Sequence, residues 1–149
     1  YVEWIRRMSA EGTVAVTGTP ADAGWLEPVK KALAAAPSVV WLDGKLDTKE
    51  WLAVLAGARA VLAPSTGTIH AAASLGVPAL GIYSPVKVQA PKRWGPLGNF
   101  AKAVVPQVDC PGYFECIGEK CQYYDCMKTL TPEHIAGEVR RLAAMRDER

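Results

Sequence analysis

Ser65-Thr66-Gly67, with His70 three residues further on, is the segment of this 149-residue chain whose residue types point most directly to chemistry. A small polar loop that opens a helix leaves first-turn N–H groups unsatisfied and exposes the positive end of the helix dipole. Both favour an anion, a phosphate above all. Gly67 lets the backbone approach a ligand closely, and His70 adds a donor within the first turn. The same residues also read as an ordinary N-cap, and a histidine on an apolar helix is often a satisfied core residue. A second concentration is Cys110, Cys116, Cys121 and Cys126, spaced C-x5-C-x4-C-x4-C. Four thiols suffice for a structural zinc, yet no pair has the tight C-x2-C spacing of a zinc ribbon. Free thiols, a zinc site and two disulfides all stay open, with free thiols favoured.

These residues need a scaffold, and the pattern of the chain supplies one. Helical spacing covers Val2 to Met8, ended by Gly12, and Thr13 to Thr17 reads as a strand. Gly18-Thr19-Pro20 breaks it, and a helix is expected from Ala23 to Ala36, stopped by Pro37. Val39 to Leu42 is the next strand, followed by turn chemistry at Asp43-Gly44. Asp47 with Glu50 forms a capping-box pattern ahead of a helix over Thr48 to Ala58, with Trp51, Leu52, Val54 and Leu55 as its buried stripe. A strand at Ala60 to Ala63, a helix at Gly67 to Leu75 ended by Gly76, and a strand at Ala79 to Tyr83 follow. A Pro/Gly-rich loop spans Ser84 to Asn99, a short strand Lys102 to Val105, and the cysteine loop Asp109 to Asp125. Thr131-Pro132-Glu133 opens a last helix to about Arg146. Trp25, Trp41 and Trp51 fall near apolar faces and read as core, and the arginines at the end of the chain, Arg140-Arg141 and Arg146 to Arg149, as a helix surface.

Strands alternate with helices, and the strands are continuous apolar runs, as in parallel sheets covered on both faces. The expected fold class is therefore α/β, a Rossmann-like three-layer structure with helices on both faces of a parallel sheet. Ligands in such sheets bind at the carboxyl ends of the strands. The loops there are Gly18 to Ala23, Leu42 to Asp47, Pro64 to Thr68 and Ser84 to Gly98.

Composition narrows the classes. Half the residues are apolar and 21% are charged, which excludes disorder. Seventeen basic against fifteen acidic residues leave +2, too little to argue for nucleic acid or an anionic membrane. The run from Ala60 to Val86 has no Asp, Glu, Lys or Arg, but Pro64, Gly67, Gly76, Pro78, Gly81 and Pro85 interrupt it. It reads as buried strand, loop, helix and strand, not as a membrane span. The chain begins at Tyr1 without a basic n-region, so it reads as a piece of a longer chain and not as opening on a signal peptide.

The run Ser65-Thr66-Gly67-Thr68-Ile69-His70-Ala71-Ala72-Ala73-Ser74-Leu75-Gly76-Val77-Pro78 resembles the signature of glycosyltransferase family 9, the heptosyltransferases of lipopolysaccharide synthesis. Gly18-Thr19-Pro20-Ala21-Asp22, Leu42-Asp43-Gly44-Lys45, Tyr83-Ser84-Pro85, Arg93-Trp94-Gly95-Pro96, Cys126-Met127 and Thr131-Pro132-Glu133 resemble further family segments. The resemblance implies a GT-B enzyme of two Rossmann-like domains, with this chain as the C-terminal half that binds the nucleotide-sugar donor. It implies that Ser65, Thr66, Gly67 and His70 hold the diphosphate of an ADP-sugar. Asp22 stands where ribose hydroxyls are bound, and Leu46 would flank adenine. Lys87, Arg93 and Trp94 are candidates for a sugar or acceptor loop.

The implied reaction is an inverting displacement that moves a heptose-like sugar to a lipopolysaccharide core, with no required cofactor and no bound metal. The base would be a carboxylate of an N-terminal acceptor domain. That domain and the first strand of this one are expected to lie outside the 149 residues. The chain alone is thus expected to bind nucleotide weakly and to transfer no sugar. Partners are the nucleotide sugar and the core acceptor, with no nucleic acid and at most peripheral membrane association. The implied location is the cytoplasm or the inner face of the inner membrane. Rival readings are another GT-B enzyme, such as a sugar-nucleotide epimerase, and a non-catalytic nucleotide- or metal-binding module.

Overall fold

Turn and cap residues punctuate this chain, and the elements fall between them. The computed structural model describes residues 1–36 and 38–148. The expected helix stop at Pro37 and the terminal Arg149 lie outside these described residues. The chain divides into two units, Tyr1–Val54 and Leu55–Arg149.

In the first unit, α1 (Val2–Ser9) is followed by β1 (Val14–Val16), a single 3-10 turn at Pro20–Asp22, α2 (Ala23–Ala32) and β2 (Val39–Trp41). The strands β1 and β2 pair in parallel, Val14 against Val39 and Val16 against Trp41. Ile5 of α1 is buried, and Arg6 reaches the carbonyl of Ala32 at the end of α2. Lys30 of α2 pairs with Asp43 at 2.7 Å, tying the helix to the turn after β2. This pairing holds the Asp43 carboxyl below the usual carboxylate range.

Three expectations fail in this part of the chain. The helix α2 stops at Ala32 and not Ala36, because the backbone leaves helical geometry at Leu33 (φ −113°, ψ 13°). Trp25, read as core, is 83% exposed. The inward stripe of α2 is Leu26, Val29 and Leu33, and Trp25 sits one position off it. The small sheet is not covered on both faces, since the paired residues Ala15 and Val40 are both exposed.

The helix α3 (Thr48–Gly57) carries the division between the units. Its expected capping box is present: the Glu50 amide donates to Asp47 Oδ1 at 2.8 Å, and the Asp47 amide donates to Glu50 Oε2 at 2.9 Å. Leu55 is buried, and Trp51 and Val54 are half-buried. Leu52, expected in the stripe, is exposed, one position off the i, i+4 line from Trp51 to Leu55.

The second unit runs β3 (Val61–Pro64), α4 (Gly67–Ser74), β4 (Ala79–Ile82), a short α5 (Pro91–Trp94), β5 (Ala101–Val104) and α6 (Pro132–Asp147). Its sheet has the order β3-β4-β5, all parallel, with Val61 opposite Ala79 and Ala79 opposite Ala101. Ala79 and Leu80 point to opposite faces of β4, and both are fully buried. Both faces of this strand are therefore covered, and α4 and α6 both pack on it. Gly76 takes φ +69° to end the turn after α4, as its place in the sequence requires.

The long helix α6 starts where Thr131 accepts from the His134 amide, with Pro132 at its first position. It buries Ile135, Ala136, Val139, Leu142 and Ala143, a 3.6-residue stripe. The loop after β4, expected without structure, holds a 3-10 turn at Lys87–Gln89 as well as α5. Among the described residues no helix is long and apolar enough to cross a membrane.

Glu138 of α6 joins the sheet to the helix, since it bonds Lys102 of β5 at 2.9 Å and Arg141 at 3.1 Å. Lys102 first, and Arg141 after it, hold its carboxyl below the usual glutamate range. The folded state thus binds fewer protons there than the unfolded chain, so this stabilisation is complete above the ordinary glutamate range and fades as pH falls through the folded value. Glu138→Gln should lower stability at neutral pH by about 1 kcal/mol or less, given partial solvent screening. Urea midpoints of the two proteins should converge in acid; a gap that stays constant with pH would refute the linkage.

Candidate anion-binding cleft at the N-terminus of α4

The helix α4 begins at the carboxyl end of β3, and its first residues face an open cleft of about 370 Å³. Ser65, Thr66, Gly67, His70, Gln89 and Trp94 line it. The orientation follows from packing. Ile69 and Ala72 are wholly buried, so the alternate face of the helix, with Gly67 and His70, turns outward. Thr66 has the extended backbone of an N-cap (φ −138°, ψ 171°), but its side chain does not cap. The Thr66 hydroxyl instead donates back to the Pro64 carbonyl at 3.3 Å. The first-turn amides of α4 therefore receive no side-chain acceptor, although the Ile69 amide donates to the Thr66 carbonyl at 3.2 Å. A Cβ on Gly67 would meet nothing within 4 Å, so the bare backbone fronts open space.

The four residues expected at a phosphate, Ser65, Thr66, Gly67 and His70, are thus brought together. Of the three loop candidates, only Trp94 lines the cleft. Arg93 lies over the Trp94 ring at 5.0 Å, a cation–π distance, and Lys87 is exposed outside the lining. Asp22 and Leu46 belong to the first unit. Asp22 Oδ2 accepts from the Thr19 hydroxyl at 2.8 Å and the Thr19 amide at 2.7 Å. These bonds pull its carboxyl below the usual aspartate range, keeping it an ionised acceptor. Leu46 is half-buried.

Two residues escape a reading of spacing alone. Gln89 enters the cleft from the short turn after β4, where no motif marks it. Tyr83 is fully buried, and its hydroxyl donates to the Trp94 carbonyl at 2.6 Å. Gly81 carries a signal for it, because a Cβ there would lie 2.5 Å from the Tyr83 ring. A glycine inside a strand marks such a close approach.

All four cysteines are free thiols and line a separate cavity of about 230 Å³, together with Ser84, Pro85 and Val86. The amides of Gly118 and Tyr123 point at the sulfurs of Cys116 and Cys121, each at 3.4 Å. Among the described residues, no group of three or more His, Cys, Asp or Glu is arranged to hold a metal ion.

The model of glycosyltransferase family 9 (heptosyltransferase) matches residues 1–121. Among solved structures, ADP-heptose LPS heptosyltransferase II of E. coli is similar over 99% of this chain and 41% of that one, at 21% identity and a TM-score of 0.80. A family 9 glycosyl transferase of Veillonella parvula is similar over 97% of this chain and 40% of that one, at 18% identity and a TM-score of 0.68. The chain therefore spans about two-fifths of the length of either structure. No curated protein matches it.

Burial pushes the Cys126 thiol up, helped by the neighbouring Cys110, Cys116 and Cys121, whereas Cys116 is exposed. Since the thiolate is the nucleophile, iodoacetamide at neutral pH should label Cys116 first and Cys126 last, read by peptide mass spectrometry. Raising the pH should narrow the gap. Protection of all four until a chelator is added would contradict the free-thiol state.

Proposed function

The chain belongs to glycosyltransferase family 9, and on that premise we propose that it is the donor-binding domain of a heptosyltransferase-type enzyme, the C-terminal half of a GT-B fold. The observation that carries the reading is the uncapped N-terminus of α4, opening on a cleft lined by Ser65, Thr66, Gly67 and His70. The first-turn amides would take the oxygens of a nucleoside diphosphate, and the His70 imidazole would add one bond. Trp94 and Gln89 would border the sugar. Asp22, an ionised acceptor, has the chemistry to accept from ribose hydroxyls, and Leu46 the apolar side chain to flank adenine.

The chemistry follows from what these groups stabilise. In an inverting displacement at the anomeric carbon, the bond to the diphosphate breaks as the acceptor oxygen attacks from the opposite face. Negative charge grows on the leaving diphosphate. Fixed N–H donors and a helix dipole aimed there hold the developing charge without reorganising. In this reading no metal is needed, and the base is a carboxylate of a further, N-terminal domain that holds a lipopolysaccharide-core acceptor. The donor is an ADP-sugar of the heptose type. The enzyme would work in the cytoplasm or at the inner face of the inner membrane.

The test is calorimetry with ADP and with adenosine. ADP should bind this chain weakly, and more tightly than adenosine. His70→Ala should weaken ADP about tenfold, the scale of a lost hydrogen bond to a charged group, and leave adenosine unchanged. Equal binding of adenosine and ADP would sink the phosphate assignment. Affinity for ADP should also rise in the longer protein that carries the acceptor domain.

A further inference from the structure

The cleft has a floor and a wall, and they are secured differently. The floor is the start of α4, fixed by the buried Ile69 and Ala72. The wall is the segment from Ser84 to Gly95, which buries little beyond Val86. Hydrogen bonds give it shape. Trp94 Nε1 donates to the Val88 carbonyl at 2.9 Å, and the amides of Lys87 and Val88 donate to the carbonyls of Gly112 and Tyr113. The Gly95 amide donates to the Pro91 carbonyl at 2.7 Å.

One side chain reaches both parts. The Tyr83 hydroxyl donates to the Trp94 carbonyl at 2.6 Å, and its ring stands beside Gly81, where a Cβ would also come within 3.2 Å of Ile69. A backbone carbonyl only accepts, so the Tyr83 proton goes to Trp94. The ring has no freedom to swing away, because it is fully buried against Gly81, where a Cβ would come within 2.5 Å of it.

We propose that Tyr83 is the positioning residue of the donor cleft: its buried ring is fixed beside Gly81 and its hydroxyl holds the backbone of Trp94, so that the wall of the cleft is tied to the packed sheet. The proposal rests on the donor-cleft reading for its ligand. The tether also sets the distance between the Trp94 side chain and His70, and hence the width available to the sugar.

Three measurements test it. In the proton spectrum of the unsubstituted chain, a slowly exchanging tyrosine hydroxyl should be visible and should vanish in Tyr83→Phe; its absence from the unsubstituted chain overturns the tether. In chain labelled with 5-fluorotryptophan, Tyr83→Phe should shift the Trp94 resonance, assigned with Trp94→Phe, and leave those of Trp4, Trp25, Trp41 and Trp51 in place. A purely structural role would move several of the five or none, and either result overturns the proposal. By calorimetry, an ADP-sugar should bind Tyr83→Phe about five- to tenfold more weakly, with ADP alone affected less. If the unsubstituted chain binds neither nucleotide, the donor reading fails, while the two spectroscopic tests still decide the tether.

Discussion

The parallel register of β3 on β4 is the constraint that the rest of the cleft inherits. Val61 to Pro64 lie opposite Ala79 to Ile82 and run the same way, so the chain must return through a crossover between them. That crossover is α4, only eight residues long. A helix this short has little freedom of placement. Ile69 and Ala72 must both reach the sheet, which fixes its rotation, and its N-terminus is delivered to the carboxyl end of β3. The alanines at 71 to 73 contribute by their small size, since they let the helix lie close to the strands. The open helix end at the edge of the sheet is here a by-product of closing a parallel pair.

This helix end has no side-chain cap, as is also true of α1, α2 and α5. The chain caps α3 with the Asp47–Glu50 box and α6 with Thr131. A side-chain cap contributes about 1 kcal/mol, and Thr66 stands at the position to supply one for α4. It turns its hydroxyl to Pro64 instead. The helix forgoes that stabilisation, and of its first-turn amides that of Ile69 donates to the Thr66 carbonyl at 3.2 Å. Fully buried Ile69, Leu80 and Val77 around it, at about 1.5–3 kcal/mol for each large aliphatic side chain, make the loss tolerable.

Much of this was legible in the order of residues because punctuation is local chemistry. Asp47 with Glu50, Gly76, and Thr131-Pro132 each act within a few residues, and each marks the boundary it predicts. Ser65, Thr66, Gly67 and His70 lie within six residues of one another, and for the same reason they meet in one cleft. Orientation about a helix axis was less so. Trp25 and Leu52 are apolar and sit one residue away from true inward stripes, so a reading by residue type places them in the core, while the 100° step of the helix turns them out. Gln89 and the partners of Tyr83 were not legible at all. They meet through tertiary packing across a loop in which no spacing rule operates.

The two halves of the cleft therefore differ in how readily they can respond to a ligand. Moving the floor means disturbing α4 and its buried contacts, where each displaced aliphatic group costs kilocalories. Moving the wall means breaking or re-forming individual hydrogen bonds, each worth about 0.5–1.5 kcal/mol net. The wall is also backed by the cysteine-bearing segment, through the Gly112 and Tyr113 carbonyls, and this segment closes on itself by turns and N–H···S contacts with few large buried side chains. Burial thus fixes the floor of the cleft, and a hydrogen-bonded frame shapes its wall. Tyr83 joins the two because its ring belongs to the first and its hydroxyl to the second.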